Sequence, residues 1–468
     1  MTLFEQTLMA AAKVASATWP VAAKIFPEIL EVDENKSLWA TYTPDYQAGD
    51  SLKKDISVDL AIIGGGFTGV STAYHFSRSY PEKRVALFEA KILANGASGR
   101  NGGMMLNWVT DHLQFASDDM TQRVYNTTHD GIKTILTIID RHNLDVSLRH
   151  DGSLEVYTDS QRAETAHAEV EHHQSLGIPV RFLDAADLKK YIGLEGASGA
   201  VLDPNAGQIN GLQLVRGLRP VLIEQGVEIY EQTPILKVRE GREIELETPH
   251  ATVKAKAIVL ATNGYTGKLG YFRDAVFPLH SHVSATAPLT KEQQQSIGWH
   301  QSSGYADDYD RISYSVMTKE GNLVFGGGSN ESYAYLFNNR TAYPGTPESA
   351  MSSFKKMENT LYDYLPNSKA FPIKHRWTGT LGITLKRNNL MGVRGDHRNV
   401  FYAVGYCGHG VTLANLSGKV ITDIYSGDDG QWRGLPFYQP DYAPIPPEPF
   451  RWLGYQFFTR VTGKSPRA

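Results

Sequence analysis

The chain has 468 residues, 41% of them hydrophobic and 21% charged, with a formal net charge of −4. That length accommodates two domains with sizeable cores, and the lack of a broad cationic field argues against nucleic acid as a partner. A single cysteine, Cys407, excludes an intrachain disulfide and any C-x-x-C motif, and no apolar run reaches the length of a membrane span.

The first segment, TLMAAAKVASATWPVAAKIF, is mildly apolar but is broken by Lys13 and Pro20. It lacks the basic start of a signal peptide and the arginines of a transit peptide. Residues 1–56 read as an ordered extension packed on the body, with a targeting or membrane-surface role as the alternative. Val58 to Ile63 then reads as a buried parallel strand, and Gly64, Gly66 and Gly69 follow it at G-x-G-x-x-G spacing. Gly64 permits the tight turn, Gly66 lets a pyrophosphate approach the backbone, and Gly69 lets strand and helix pack closely. Thr68 to Arg78 is the expected crossover helix, whose start presents free N–H groups to phosphate. Val85 to Phe88 is a second strand closed by Glu89, 20 residues beyond Gly69, where a carboxylate can accept hydrogen bonds from a ribose diol. Such an acid disfavours the 2′-phosphate of NADP. Phe67 and Thr68 in the first turn, and Ala90 and Lys91 after Glu89, join the expected cofactor set.

Leu113 to Asn143 is expected to be mainly helical, GSLEVYTD from Gly152 a strand, and Asn210 to Gln225 a helix. VEIY, ILKVRE and IELETP are expected to form a small meander. AIVLATNGYTG, from Ala257, is a second buried strand entering a glycine turn. VFPLHSHVSATAPL, RISYSVMT and NLVFGGG are further strands, and Val400 to Val404 leads into a turn and helix. The pattern predicts an α/β protein with a Rossmann-like nucleotide domain and a discontinuous α+β domain on a mostly antiparallel sheet. The nucleotide domain takes residues 57–145, 206–272 and 389–430; the other takes 146–205 and 273–388. In the tail, 431–468, Phe450, Leu453, Phe457, Phe458 and Val461 share a helix face with Arg451 and Arg460 beside it. That face is expected to dock on the body, or else to meet a membrane surface or partner.

The glycine motif, together with NGASGRNGG, ATNGYTG, FGGG and GYCGHG, resembles the D-amino-acid oxidase-like flavoprotein superfamily, and most closely its γ-glutamylputrescine oxidoreductase type. The resemblance runs from about Val58 to Gly427 and implies FAD. It places Ala97, Ser98, Gly99, Arg100, Asn101, Gly102, Gly103 and Met104 along the pyrophosphate and beneath the isoalloxazine ring. It places Ile235 at the adenine, Thr262 and Asn263 in a turn beside the cofactor, and Gly408, His409, Gly410, Val411 and Thr412 at a helix start facing the pyrimidine end of the flavin. A helix N-terminus there would stabilise the charge of a reduced ring. Because the linking cysteine of relatives with covalent flavin lies elsewhere, non-covalent FAD is expected, with Cys407 a small buried residue.

The family oxidises C–N bonds by hydride transfer to flavin N5, followed by imine hydrolysis, so the implied substrate is a small amine or amino acid and the acceptor O2 or a quinone. Arg100, Tyr314 and His409 are the candidate catalytic residues, each with a structural alternative: a salt bridge, packing and a loop contact. Trp377 is expected above the flavin face. His280 and His282 point the same way on a strand, a weak metal signal, and no metal is expected. Thr318 stands where glycine oxidase-like relatives carry a carboxylate-binding arginine, which tilts the substrate toward amines, although Arg311, Lys319 or Arg376 could supply a cation. Asp307, Asp308 and Asp310 read as a solvated loop or as an attractor of cationic amines. Three functions follow: an amine oxidase, a membrane-associated dehydrogenase or deaminase feeding quinone, and a flavin-carrying subunit docking through SYAYLFNN. A cytoplasmic location is expected, with peripheral membrane contact as the variant; oligomeric state is left open.

Overall fold

The computed structural model describes residues 25, 31–32, 36–108, 117–309, 311–328, 332–343 and 350–462, so Leu113, Asp310 and the predicted N-terminal apolar segment, apart from Ile25, lie outside the described residues. Two sheets dominate, in a mixed α/β arrangement with a Rossmann-like half.

The first sheet runs in the order Leu390–Arg394, Val400–Val404, Thr252–Leu260, Ile56–Ile63, Val85–Phe88, Glu228–Tyr230. All neighbours are parallel except the first pair. Ile63 pairs with both Phe88 and Leu260, so three strands end at one level. Ligands of open α/β sheets bind in the crevice outside such carboxyl ends. Near-continuous apolar runs form these strands because both faces are covered: Phe67–Ser79 and Gly410–Ser426 lie together on one side, and Ile244, Leu246, Tyr271 and Phe272 pack on the other. Gly418 makes their approach possible, since a Cβ there would run into the Ser71 backbone.

The predicted meander is corrected in one respect. Lys237–Arg239 and Ile244–Glu247 do fold back antiparallel onto Thr252–Leu260, but VEIY does not join them. Glu228–Tyr230 extends the parallel sheet beside Val85–Phe88, because the Gly211–Glu224 helix acts as a crossover rather than as a lead into a hairpin.

The second sheet runs Tyr333–Ala334, Phe277–Thr286, Leu323–Gly327, Ser313–Met317, Gly304–Asp307, Ser153–Tyr157, Gly199–Asp203, Arg181–Asp184, with Ile373–Ile383 paired along the Phe277–Thr286 strand. Only the Gly304–Asp307 and Ser153–Tyr157 pair is parallel. The two sheets draw on alternating stretches of chain.

At the C-terminus the helix Phe450–Thr462 forms, but the side that docks is not the predicted one. Phe450, Leu453 and Phe457 are 55%, 53% and 62% exposed. Arg451 is buried instead, donating to Asn339 Oδ1 at 2.9 Å and to the Arg273 carbonyl at 2.6 Å. Trp452 and Tyr455 pack on Leu279, Tyr335 and Ile383. The side chains of Phe458, Arg460 and Val461 lie outside the described residues. Buried acceptors for a guanidinium and an aromatic patch decided the orientation; the hydrophobic stripe alone did not. The same contacts cover SYAYLFNN: Tyr335 donates to Glu448 Oε1 at 2.5 Å, Phe337 meets Trp452 edge to face, and Tyr455 donates to the Tyr333 carbonyl. Most of that segment is an internal seam and not the open interface expected from its aromatic content, with Phe337 left 41% exposed.

Candidate functional site

At the carboxyl ends of the first sheet, Gly64 adopts φ +112, and a Cβ on it would stand 2.6 Å from the Ala261 carbonyl oxygen. Gly69 lets the helix come down on that turn, since a Cβ there would strike the Gly64 carbonyl. The helix starts from Gly66 without a side-chain cap of its own; Ser98 Oγ, from the second glycine loop, accepts from the Phe67 N–H at 2.9 Å. Glu89 accepts from the N–H groups of Gly65 at 2.8 Å and Lys91 at 2.9 Å. Burial raises its pKa against the pull of these amides.

A cavity of about 290 Å³ opens over this turn. Among its lining are Gly64, Gly66, Phe67, Thr68, Glu89, Ala90, Ala97, Ser98, Asn101, Ile235, Thr262, Asn263, Gly408, Gly410 and Val411. Four expected cofactor residues line no cavity described here: Gly69 and Gly99 are glycine for backbone packing, Lys91 contributes its amide to Glu89, and the Thr412 side chain lies against Gly131. Sequence reasoning missed Val32 and Leu381, which also line it, because segments distant in sequence supply them, and it stopped short of Tyr265 and Lys268, which the short Asn263–Leu269 helix carries from the same turn into the cavity wall.

A second cavity, of about 210 Å³, lies between the glycine loop and one face of the second sheet. Arg100, Gly102, Gly103, Met104, Tyr314 and His409 line it. Ala97, Asn101, Leu381, Gly408 and Val411 line both cavities, so the two meet there. At that junction Gly408 holds φ +99, and no protein atom lies within 4 Å of where a Cβ would stand. His409 precedes the Gly410–Ser426 helix, whose N-terminus faces the junction with its partial positive charge.

Arg100 is buried and works as a strap. Its Nε donates to the Asn95 carbonyl at 2.6 Å and Nη1 to the Thr378 carbonyl at 3.0 Å. Trp377, fully buried, donates from Nε1 to the Arg100 carbonyl at 2.8 Å, which makes it a support of the loop and not a wall of the cavity. Ser37 and Trp39 pin the same loop through the carbonyls of Gly99 and Asn101. The Tyr314 ring is seated against Gly102 and Gly326, where a Cβ would come within 2.8 and 2.6 Å of its atoms, and burial raises its phenol pKa.

Other expectations need correction. Thr318 does not line the cavity; it is buried in a turn and accepts from the Asn322 N–H at 3.0 Å, so its failure to be arginine says nothing about carboxylate binding. Arg311, Lys319 and Arg376 do not line the cavity either, and Arg376 pairs with Glu358. Asp307 and Asp308 are not solvated: Asp307, which lines the second cavity, accepts from Tyr364 Oη and the Ser313 N–H, and Asp308 pairs with Arg162 at 3.1 Å. His280 and His282 are buried with ring nitrogens on the carbonyls of Arg340 and Ser332. Among the described residues no cluster of ligating side chains could hold a metal.

The sequence pattern of the FAD dependent oxidoreductase family, DAO, matches residues 59–424. The chain belongs to the DAO family. It is 27% identical to γ-glutamylputrescine oxidoreductase of Escherichia coli over 85% of this chain and 90% of that protein. It is 25% identical to a probable oxidoreductase OrdL of Haemophilus influenzae over 79% and 83%. Among solved structures, glycine oxidase of Geobacillus kaustophilus superposes with a TM-score of 0.66 at 19% identity, covering 79% of this chain and 95% of that one. L-proline dehydrogenase of P. horikoshii gives 0.65 at 17%, over 81% and 94%. The DAO protein is therefore an FAD-dependent oxidoreductase. Its residues fit FAD: the Gly64 turn presents amides and a helix start for a pyrophosphate, and Gly408 leaves room at the junction that no protein atom fills.

Proposed function

We propose that this DAO protein oxidises the C–N bond of an amine, releasing an imine that water hydrolyses to a carbonyl compound, with the electrons passing to O2 to give hydrogen peroxide. The observation that carries this reading is the junction of the two cavities at Ala97, Asn101, Leu381, Gly408 and Val411, which puts a substrate-sized space beside the FAD groove. FAD, when bound, supplies the two-electron acceptor that takes the hydride. Gly102 lets the Tyr314 ring pack onto the glycine loop, Gly103 lets that loop meet the Ile209 carbonyl, and the Tyr314 ring so seated limits where a substrate carbon can lie. The Gly410 helix start stabilises negative charge at its end of the junction with donors that need no reorganisation. Arg100 acts as a positioning residue through Asn95 and Thr378. An amine that arrives unprotonated needs no side-chain base, consistent with a neutral Tyr314 phenol.

FAD is held without a covalent bond in this reading, because Cys407 is buried with its Sγ donating to the Gly405 carbonyl at 3.1 Å. The expected domain limits, including 57–145 and 273–388, stand with the same proposal. Anaerobic bleaching of the flavin by a panel of amines, followed by peroxide release in air, tests it; no bleaching by any amine sinks it. A second reading, electron delivery to a membrane quinone, is favoured by the exposed Phe450, Leu453 and Phe457, although no described helix is long and apolar enough to cross a membrane. Rapid reoxidation of the reduced flavin by air removes that reading.

A further inference from the structure

Resting on the amine-oxidation reading above, we propose that Asp203, with Asn107 and Glu155, is a receptor for a second, cationic nitrogen of the substrate, so that the enzyme prefers amines carrying a protonated nitrogen at the end away from the one it oxidises.

The argument begins with strand register. Asp203 pairs with Ser153 and Val201 with Glu155 across an antiparallel pair, Glu155 with Ala306 across a parallel one, and Ala306 with Tyr314. Paired residues share a sheet face, so Glu155, Ala306 and Tyr314 form one row and Asp203 stands diagonal to Glu155, roughly 7–8 Å away. All four line the second cavity. Tyr314 marks the end against the glycine loop. The acids lie two and three strands further out, roughly 10–14 Å at about 4.8 Å per strand.

The chemistry of that outer end is one-sided. Asp203 is 8% exposed and accepts from Asn107 Nδ2 at 2.6 Å, the Asn205 N–H at 2.9 Å and Tyr125 Oη at 3.2 Å. All three donors are neutral, and a buried carboxylate so placed still lacks a counter-charge. Burial accordingly raises its pKa. His129, stacked on Tyr125, is the titratable neighbour, and burial lowers its pKa toward the neutral form. Arg100 is the sole Lys or Arg among the described residues lining the cavity, and it belongs to the glycine loop.

Asn107 supplies the independent observation. It lines the same cavity, is fully buried, and must turn Nδ2 toward the Asp203 carboxylate. Its Oδ1 is then left with no partner among the described residues. A structural knot would pair that oxygen, since an unpaired buried acceptor is costly. An ammonium, with three donors and one positive charge, satisfies both Oδ1 and the carboxylate; an anion satisfies neither.

The test uses FAD-loaded enzyme and a series of α,ω-diamines from 1,3-diaminopropane to 1,8-diaminooctane, each against the n-alkylamine of the same carbon number. Dissociation constants come from perturbation of the flavin absorption band and turnover from anaerobic bleaching. The expected result is at least one diamine bound tenfold or more tighter than its monoamine. In Asp203→Asn that ratio should collapse to within about twofold of one, and in Glu155→Gln it should fall part-way. A receptor is overturned if wild-type enzyme binds the paired amines equally, or if either variant weakens both amines by the same factor. Glu155 is only partly buried, so its variant carries the test should Asp203→Asn fail to fold. Diamine-selective binding without bleaching overturns the oxidation reading and leaves the receptor standing.

Discussion

Gly408 separates holding the fold from holding the cofactor. Its φ of +99 is open to glycine, and the space beside it is empty of protein atoms. We expect Gly408→Ala to cost about 1–3 kcal/mol of stability through backbone strain alone, and to weaken FAD binding tenfold or more, measured by flavin fluorescence on titration of the apoprotein. Equal FAD affinity in the variant would show that the junction is not where the ring sits. Tyr314 gives a complementary test, because its ring fills space between Gly102 and Gly326 while burial keeps the phenol neutral. Tyr314→Phe should keep the anaerobic rate of flavin reduction within about threefold, whereas Tyr314→Ala should lose on the order of 100-fold through misplacement of the substrate. A large loss in the phenylalanine variant would assign the hydroxyl a catalytic part. These residues were legible in the sequence for a physical reason: glycines where backbone meets cofactor leave a spacing signature. The Asp203 and Asn107 pair left none, since it arises from a tertiary contact between a strand end and a loop nearly 100 positions apart.

At the scale of elements, Val32 forms part of the cofactor cavity wall and Glu31 anchors it to a distant part of the chain. Glu31 exchanges backbone hydrogen bonds with Thr341 Oγ1 and forms a two-point pair with Arg340 at 2.8 and 3.0 Å, while Val32 lines the cavity. The guanidinium beside it holds the Glu31 carboxyl below its ordinary range. Exposed pairs of this kind contribute about 0.2–1 kcal/mol, so Arg340→Ala should barely move the melting temperature of the apoprotein. It should nevertheless speed FAD dissociation by about three- to tenfold by loosening Val32 in the cavity wall, and an unchanged dissociation rate would dismiss that role. The Phe450–Thr462 helix teaches a related lesson. Its position and its amphipathic stripe were readable, yet the buried partners of Arg451 and the aromatic seat for Trp452 and Tyr455 turned the stripe outward. Periodicity ranks faces by apolarity, whereas docking is decided by which face finds partners for its polar groups.

For the whole molecule, acid sensitivity follows from histidines buried in the neutral form. His75 and His282 have pKa values lowered to about 4, in both cases chiefly by burial, with Lys419 adding to the effect at His75. In the unfolded chain both return to about 6.5. Their folded values are depressed, so the stability they contribute is present above pH 6.5 and is lost as pH falls toward 4, where the unfolded state binds the extra protons. Each contributes up to about 1.4 kcal/mol per pH unit inside that window. The melting temperature should therefore fall steeply between pH 6.5 and 4, and His282→Gln should flatten the slope; a slope unchanged in that variant would exclude His282 as a source.

The sequence by itself determined the nucleotide half, because glycine spacing, an acid after a second strand and buried parallel runs are local demands of dinucleotide binding; FAD and the family came through the resemblance carried by NGASGRNGG, ATNGYTG and GYCGHG. Only the tertiary structure decided which residues face the substrate. It removed Thr318 and Trp377 from the cavity, buried Asp307 and Asp308 as structural partners, and brought Asp203 beside Asn107. Cavity walls are assembled by pairing between distant strands, and no short window of sequence carries that register.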